Sequence, residues 1–102
     1  MTHRFGDGAT ADLRDALEFY ASRSPEHSER FLARLTEGVM EISEHPARYP
    51  REEHVGRNRE VRRYVLTNFP YSLIYEVEPR GILIVAVAHH SRRSGYWRRR
   101  KD

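Results

Sequence analysis

Tyr71-Ser72-Leu73-Ile74-Tyr75-Glu76-Val77-Glu78-Pro79-Arg80-Gly81-Ile82-Leu83-Ile84-Val85-Ala86-Val87-Ala88 decides the fold. Leu73, Tyr75 and Val77 alternate along its first half, which is the period of a strand with one buried face. Glu78-Pro79-Arg80-Gly81 reads as a hairpin turn, with proline early and Gly81 able to take a positive φ. Ile82 to Ala88 is apolar at every position. A strand with no polar face belongs in the middle of a sheet, covered on both sides. Val61 to Thr67 reads as a further strand, and Thr2 to Phe5 as a short edge strand.

Upstream the period changes to that of a helix. Ala9, Leu13, Ala16, Leu17 and Tyr20 follow helical spacing, and Asp12, Arg14, Asp15 and Glu18 are assigned to the solvent side. Asp7 is a candidate N-cap, and this helix is expected to end near Ala21 to Arg23. Ser24-Pro25-Glu26 opens a second helix with an N-cap, a proline at the first helical position and an acid that complements the dipole. Phe31, Leu35, Val39 and Ile42 form its stripe, and His45-Pro46 stops it. Ala47 to Glu60 is a loop. The order is β-α-α-β-β-β: an α+β domain in which a helical hairpin packs on a small, mainly antiparallel, twisted sheet. Residues 1–102 form a single domain, with a basic tail at 98–102.

Charge is uneven along the chain. Lys plus Arg number 18 against 15 Asp plus Glu, and six of those basic residues lie between Arg92 and Lys101. The acids gather in the first half, so an anionic partner is expected at the C-terminal half, either nucleic acid or an acidic protein segment. The absence of cysteine excludes disulfides, thiol catalysis and cysteine-based zinc sites. His3, His27, His45 and His54 have no metal-ligand spacing, so no metal is expected, and no cofactor motif is present. Met1 to Tyr20 has no hydrophobic signal core, and no stretch approaches the ~20 apolar residues that span a bilayer. The expected location is the cytoplasm, away from membranes.

In ordered combination these residues resemble the RelE/ParE superfamily of toxins from bacterial type II toxin–antitoxin systems. The matching positions are Phe5, Ala9 with Ala11-Asp12-Leu13, Tyr20, Ser24-Pro25 with Phe31, His45-Pro46 and Tyr49-Pro50. They continue through Val61-Arg62, Phe69-Pro70-Tyr71, Ile74-Tyr75 and Ala86-Val87-Ala88-His89, ending in Arg93 and Tyr96-Trp97. The resemblance implies a small toxin held inactive by a cognate antitoxin in a hetero-oligomeric complex. Its target is either DNA gyrase, as for ParE-like members, or the ribosome and its mRNA, as for RelE-like endoribonucleases. RelE-like chains often carry several lysines in the middle strands, whereas Lys101 is the only lysine here. That departure favours the gyrase inhibitor. A non-toxic basic module that binds RNA or protein is the remaining alternative.

Metal-free RNA cleavage needs a base, a cation on the phosphorane and an acid for the leaving oxygen. For a nuclease the resemblance points to His89 as acid or base, Arg62 and Arg93 as phosphate clamps, and Tyr96 as proton carrier or stacking platform. Arg62 and Arg63 must face opposite sides of the sheet, and so must His89 and His90. Arg63, Arg92, Trp97, Arg98, Arg99 and Arg100 complete a candidate target- or RNA-binding set. Trp97 is expected to pack the tail onto the helices, and Arg98 to Lys101 to be a flexible basic end. Tyr49, Tyr64, Tyr71 and Tyr75 are assigned to the core or the sheet face.

Overall fold

A computed structural model describes residues 1–102. The elements are β1 (His3–Phe5), α1 (Asp7–Ala21), α2 (Pro25–Glu44), β2 (Glu60–Val65), β3 (Tyr71–Glu78) and β4 (Gly81–His89). The order and class match the expectation, with β2 ending two residues short of Thr67. Gly6, not Asp7, is the N-cap of α1, and Asp7 instead supplies a carboxylate to the first turn. At α2 the Ser24 hydroxyl accepts the His27 N–H at 3.2 Å, with Pro25 as the first helical residue. No helix is long and apolar enough to cross a membrane.

The four strands form one sheet in the order β1-β4-β3-β2. β2, β3 and β4 are antiparallel, and β1 joins β4 in parallel, His3 opposite Ile82. The all-apolar strand therefore lies between two neighbours. On one face the helices pack over Leu73, Tyr75, Ile82, Ile84 and Val87. Tyr20, Phe31 and Tyr71 lie at the centre of that layer, Phe31 at 5.1 Å and 5.0 Å from the other two rings. Gly38 lets α2 come close to β2, because a Cβ there would lie 2.7 Å from the Tyr64 ring.

No helix covers the opposite, outer face. Val61, Ile74, Leu83, Val85, Ala86 and Ala88 are roofed there by Trp97, with Val55 and Tyr96 beside it. Trp97 thus packs on the sheet and not on the helices as the sequence suggested. The apolar row on this side of β4 needs a cover, and the tail is the segment that reaches it. Gly95, at φ 74°, makes the turn that brings the tail back.

The expectation of a flexible end also fails. Arg59 pairs with Glu76 at 2.9 Å and donates to the backbone carbonyls of Arg98 at 2.7 Å and Arg100 at 2.9 Å. Arg100 reaches across to Asp12 on α1. Part of the charge asymmetry along the chain is therefore neutralised internally, first-half acid against C-terminal base.

One irregularity matters for the site. Ile74 pairs with Ala86 but Tyr75 pairs with Ile84, so Val85 is an extra residue in β4, a β-bulge. Val85 and Ala86 both lie in the outer layer as a result. Strict alternation would have put His89 on the outer face. The bulge moves it to the helix side and sends His90 outward.

Candidate functional site

The end of β4, the start of the tail and one turn of α1 meet around Asp12. The carboxylate of Asp12 is only 5% exposed. The Asp12 position falls on the buried stripe of α1 with Ala9, Ala16 and Tyr20, not on the solvent side to which its polarity assigned it. It accepts the Val87 N–H at 3.1 Å, just beyond the bulge. It also accepts the Tyr96 hydroxyl at 3.0 Å, and Arg100 Nη1 and Nη2 at 2.7 and 3.3 Å. Arg92 adds a longer contact of 3.5 Å. Arg100 donates in addition to the Val85 carbonyl at 3.1 Å, satisfying a bulge oxygen. A buried carboxylate is tolerated where several donors surround it, and Asp12 has them. The Tyr96 ring lies between two guanidinium groups, Arg92 at 3.7 Å and Arg100 at 4.9 Å from its centroid.

The histidines divide as the bulge dictates. His89 packs edge-on against Tyr71, centroids 4.9 Å apart, beneath the first helix. Its Nδ1 accepts the Ser91 N–H at 3.0 Å, which leaves the proton of the neutral ring on Nε2. His90 faces outward, its Nε2 2.9 Å from the Ser72 hydroxyl. Arg63 donates to the same hydroxyl at 3.2 Å and to Glu52 at 2.8 Å. Ser72 is fully buried, and these two partners satisfy it.

Of the four residues proposed for nuclease chemistry, three share this region and Arg62 does not. Arg62 lies on the helix side, donating to Glu60 at 2.8 Å and to the Tyr49 carbonyl at 2.6 Å. It pairs across the sheet with Tyr75, whereas His89 pairs with Tyr71. Four residues of strand, roughly 13 Å, separate those positions. Arg63, by contrast, is at the site, beside a cavity that also meets Arg92, Arg93 and Trp97. Arg93 extends from the tail with its side chain exposed. Arg99 is exposed, while Arg98 lies over the Trp97 ring at 5.8 Å and has a buried Nε without a hydrogen-bond partner.

Sequence reasoning missed Asp12 and Ser72 as members of the site, and weighed His90 only as the alternative to His89. Ser72 carried a usable signal, since it is the one small polar residue in the first half of a strand otherwise made of Tyr71, Leu73 and Ile74. Elsewhere, Glu41, Glu44 and His45 bring ligand atoms within 4.8 Å of one another. Glu41 is already occupied there by the Tyr49 hydroxyl and by Arg48.

Burial, then the Asp12 charge and hydrogen bond, push the Tyr96 hydroxyl up to about 12. Tyr75, whose hydroxyl donates to the Pro46 carbonyl at 2.7 Å, is also pushed up to about 12, mainly by burial. Tyr20, Tyr49, Tyr64 and Tyr71 are all raised from 10.0 with burial as the leading cause. The native state therefore holds phenolic protons that the unfolded chain releases. This contribution is complete below the unfolded value of 10.0 and is lost as pH rises towards about 12. In an alkaline titration, tyrosinate absorbance should rise together with loss of the circular dichroism signal. A phenol ionising near its ordinary value while the fold stays intact would contradict the burial.

The model of the ParE toxin of type II toxin–antitoxin system, parDE, matches residues 4–94 of this chain. The chain is also similar to a solved structure of the chromosomal ParDE toxin–antitoxin system from P. aeruginosa. That match has 22% identity and a TM-score of 0.73, covering 87% of this chain and 95% of the other. At that identity the likeness speaks for the fold. No curated protein sequence matches the chain.

Proposed function

Since the chain belongs to the family of ParE toxins of type II toxin–antitoxin systems, we propose that it arrests growth by binding DNA gyrase, and that it cuts no RNA. In this reading it acts in the cytoplasm and is neutralised in a hetero-oligomeric complex with a cognate antitoxin. One observation supports binding over cleavage: the Tyr96 hydroxyl is committed to Asp12. A phenol donating to a buried carboxylate, with its proton held up to about 12, is a poor base at neutral pH. The roughly 13 Å of strand between the positions of Arg62 and His89 argues in the same direction.

The test uses purified gyrase and relaxed plasmid. Supercoiling should stop at toxin concentrations close to those of the enzyme. Tyr96→Phe should inhibit as well as the parent, at a cost to the toxin's own stability of about 1 kcal/mol for one hydrogen bond. In a translation extract, mRNA 5′ ends should be unchanged. Discrete ribosome-dependent cuts that vanish in His89→Ala would overturn the reading and favour the endoribonuclease. Unchanged growth on overexpression would favour a non-toxic binding module instead.

A further inference from the structure

We propose that the cavity between the end of β4 and the tail, on the outer face, is a carboxylate-binding pocket that takes one aspartate or glutamate side chain of a protein partner. The inference concerns the isolated chain and holds whichever target the toxin acts on. The cavity has a volume of about 190 Å³, and its charged lining consists of arginine and histidine without an acid. At ~30 Å³ per liquid water, that leaves room for a carboxylate, its methylenes and a few waters.

The pocket is built, not merely basic. Ser72, fully buried, holds both His90 at 2.9 Å and Arg63 at 3.2 Å on one hydroxyl. A buried hydroxyl in an apolar layer costs free energy unless bonded, so its presence fixes two rim side chains in place. Ala88 and the buried Trp97 supply an apolar floor against which methylene groups can rest.

The charges around the pocket select the ligand. Arg63 is balanced by Glu52 at 2.8 Å, and Arg92 faces Asp12 at 3.5 Å. Arg59, behind the tail, is balanced by Glu76 at 2.9 Å. Of the three arginines that line the pocket, Arg93 is the one whose side chain makes no hydrogen bond or ion pair. A nucleic-acid backbone is held by a run of cations that follows its phosphates. Within the lining, one free guanidinium beside the two paired ones of Arg63 and Arg92 suits a single carboxylate, which its planar fork can bind with two N–H donors. Asp12, on the other side of the tail, shows the same solution with an internal ligand: arginines from the tail and one hydroxyl converge on one carboxylate. In the pocket the corresponding donors are Arg93, Arg63 and the outward ring of His90. Ser72 is a positioning residue that acts through the last two.

The experiment is a titration of the purified full chain with N-acetyl-glutamate amide, followed by NMR at the Trp97 indole and His90 ring signals. Saturable shifts are expected in the millimolar range, and none with the glutamine analogue. Arg93→Ala, a change at an exposed side chain, should weaken binding at least tenfold while leaving the circular dichroism spectrum unchanged. Ser72→Ala should weaken it several-fold and broaden the His90 signals. Arg93→Gln provides a second variant of similar length. The proposal is overturned by the absence of saturation, or by binding in both Arg93 variants as tight as in the parent. It is equally overturned if inorganic phosphate saturates the site and the glutamate compound does not, which would make it a phosphate site. None of these readouts involves gyrase or growth, so their failure is separate from a failure of the toxin mechanism.

Discussion

Asp12→Ala should be the most damaging single substitution in this chain, lowering stability by about 3–5 kcal/mol, the cost of leaving partners of a buried charge uncompensated. The Val87 N–H, the Tyr96 hydroxyl and the buried part of Arg100 would all lose their acceptor at once. A domain of this size is stable by only about 5–15 kcal/mol, so the loss is a large fraction of the whole. Each kcal/mol corresponds to roughly 4–8 °C in Tm for a domain of up to about 100 residues. Asp12→Asn keeps one acceptor and should cost less. The measurement is urea unfolding of the parent and both variants. A loss below about 1 kcal/mol for alanine would mean that water replaces the carboxylate, and that the network is not buried as described.

Trp97→Ala should follow closely, with a loss of about 3–5 kcal/mol from the removal of a buried large aromatic. The side chain is 1% exposed and roofs the outer layer of the sheet. Its loss would open Val85, Ala86 and Ala88 to solvent and release the tail from its seat. Limited trypsin digestion gives a second readout. Cleavage after Arg98, Arg99 and Arg100 should be slow in the parent, where Arg59 holds two of their carbonyls, and fast in the variant. Equal cleavage rates would show that the tail is held without the indole.

How far the sequence could be read follows from which signals are local. The hairpin from Tyr71 to Ala88 and the helix opening at Ser24-Pro25 were legible because periodicity and turn chemistry sit within a few residues. The central place of β4 was legible for the same reason, since seven apolar residues in a row leave it no exposed face. Asp12 was misread because one polar residue on an apolar stripe looks like a solvent-facing one until its distant donors are known. Its partners Val87 and Arg100 lie 75 and 88 residues away. The bulge at Val85 had no signal at all: an apolar run reads identically with or without an inserted residue. That single residue exchanged the faces of His89 and His90. His89 thus shares the helix side with Arg62, and His90 the outer side with Arg63.

The parallel pairing of β1 with β4 has a consequence for when this molecule can exist during synthesis. His3, Arg4 and Phe5 find their strand partners at Ile82, Leu83 and Ile84. A chain growing from its N-terminus can form the helical hairpin early, because its contacts are local, but β1 must wait for a neighbour nearly eighty residues later. The Asp12 carboxylate waits longer still, for Tyr96 and Arg100. Until those residues are made, α1 carries an acid that has no donors, beside an apolar face without a sheet. The nascent chain cannot present the finished tail surface before Tyr96, Trp97 and Arg100 have been made and brought back to the sheet. The tail surface and the Asp12 network thus form in one event, so a partner that recognises this surface meets it only in the folded domain.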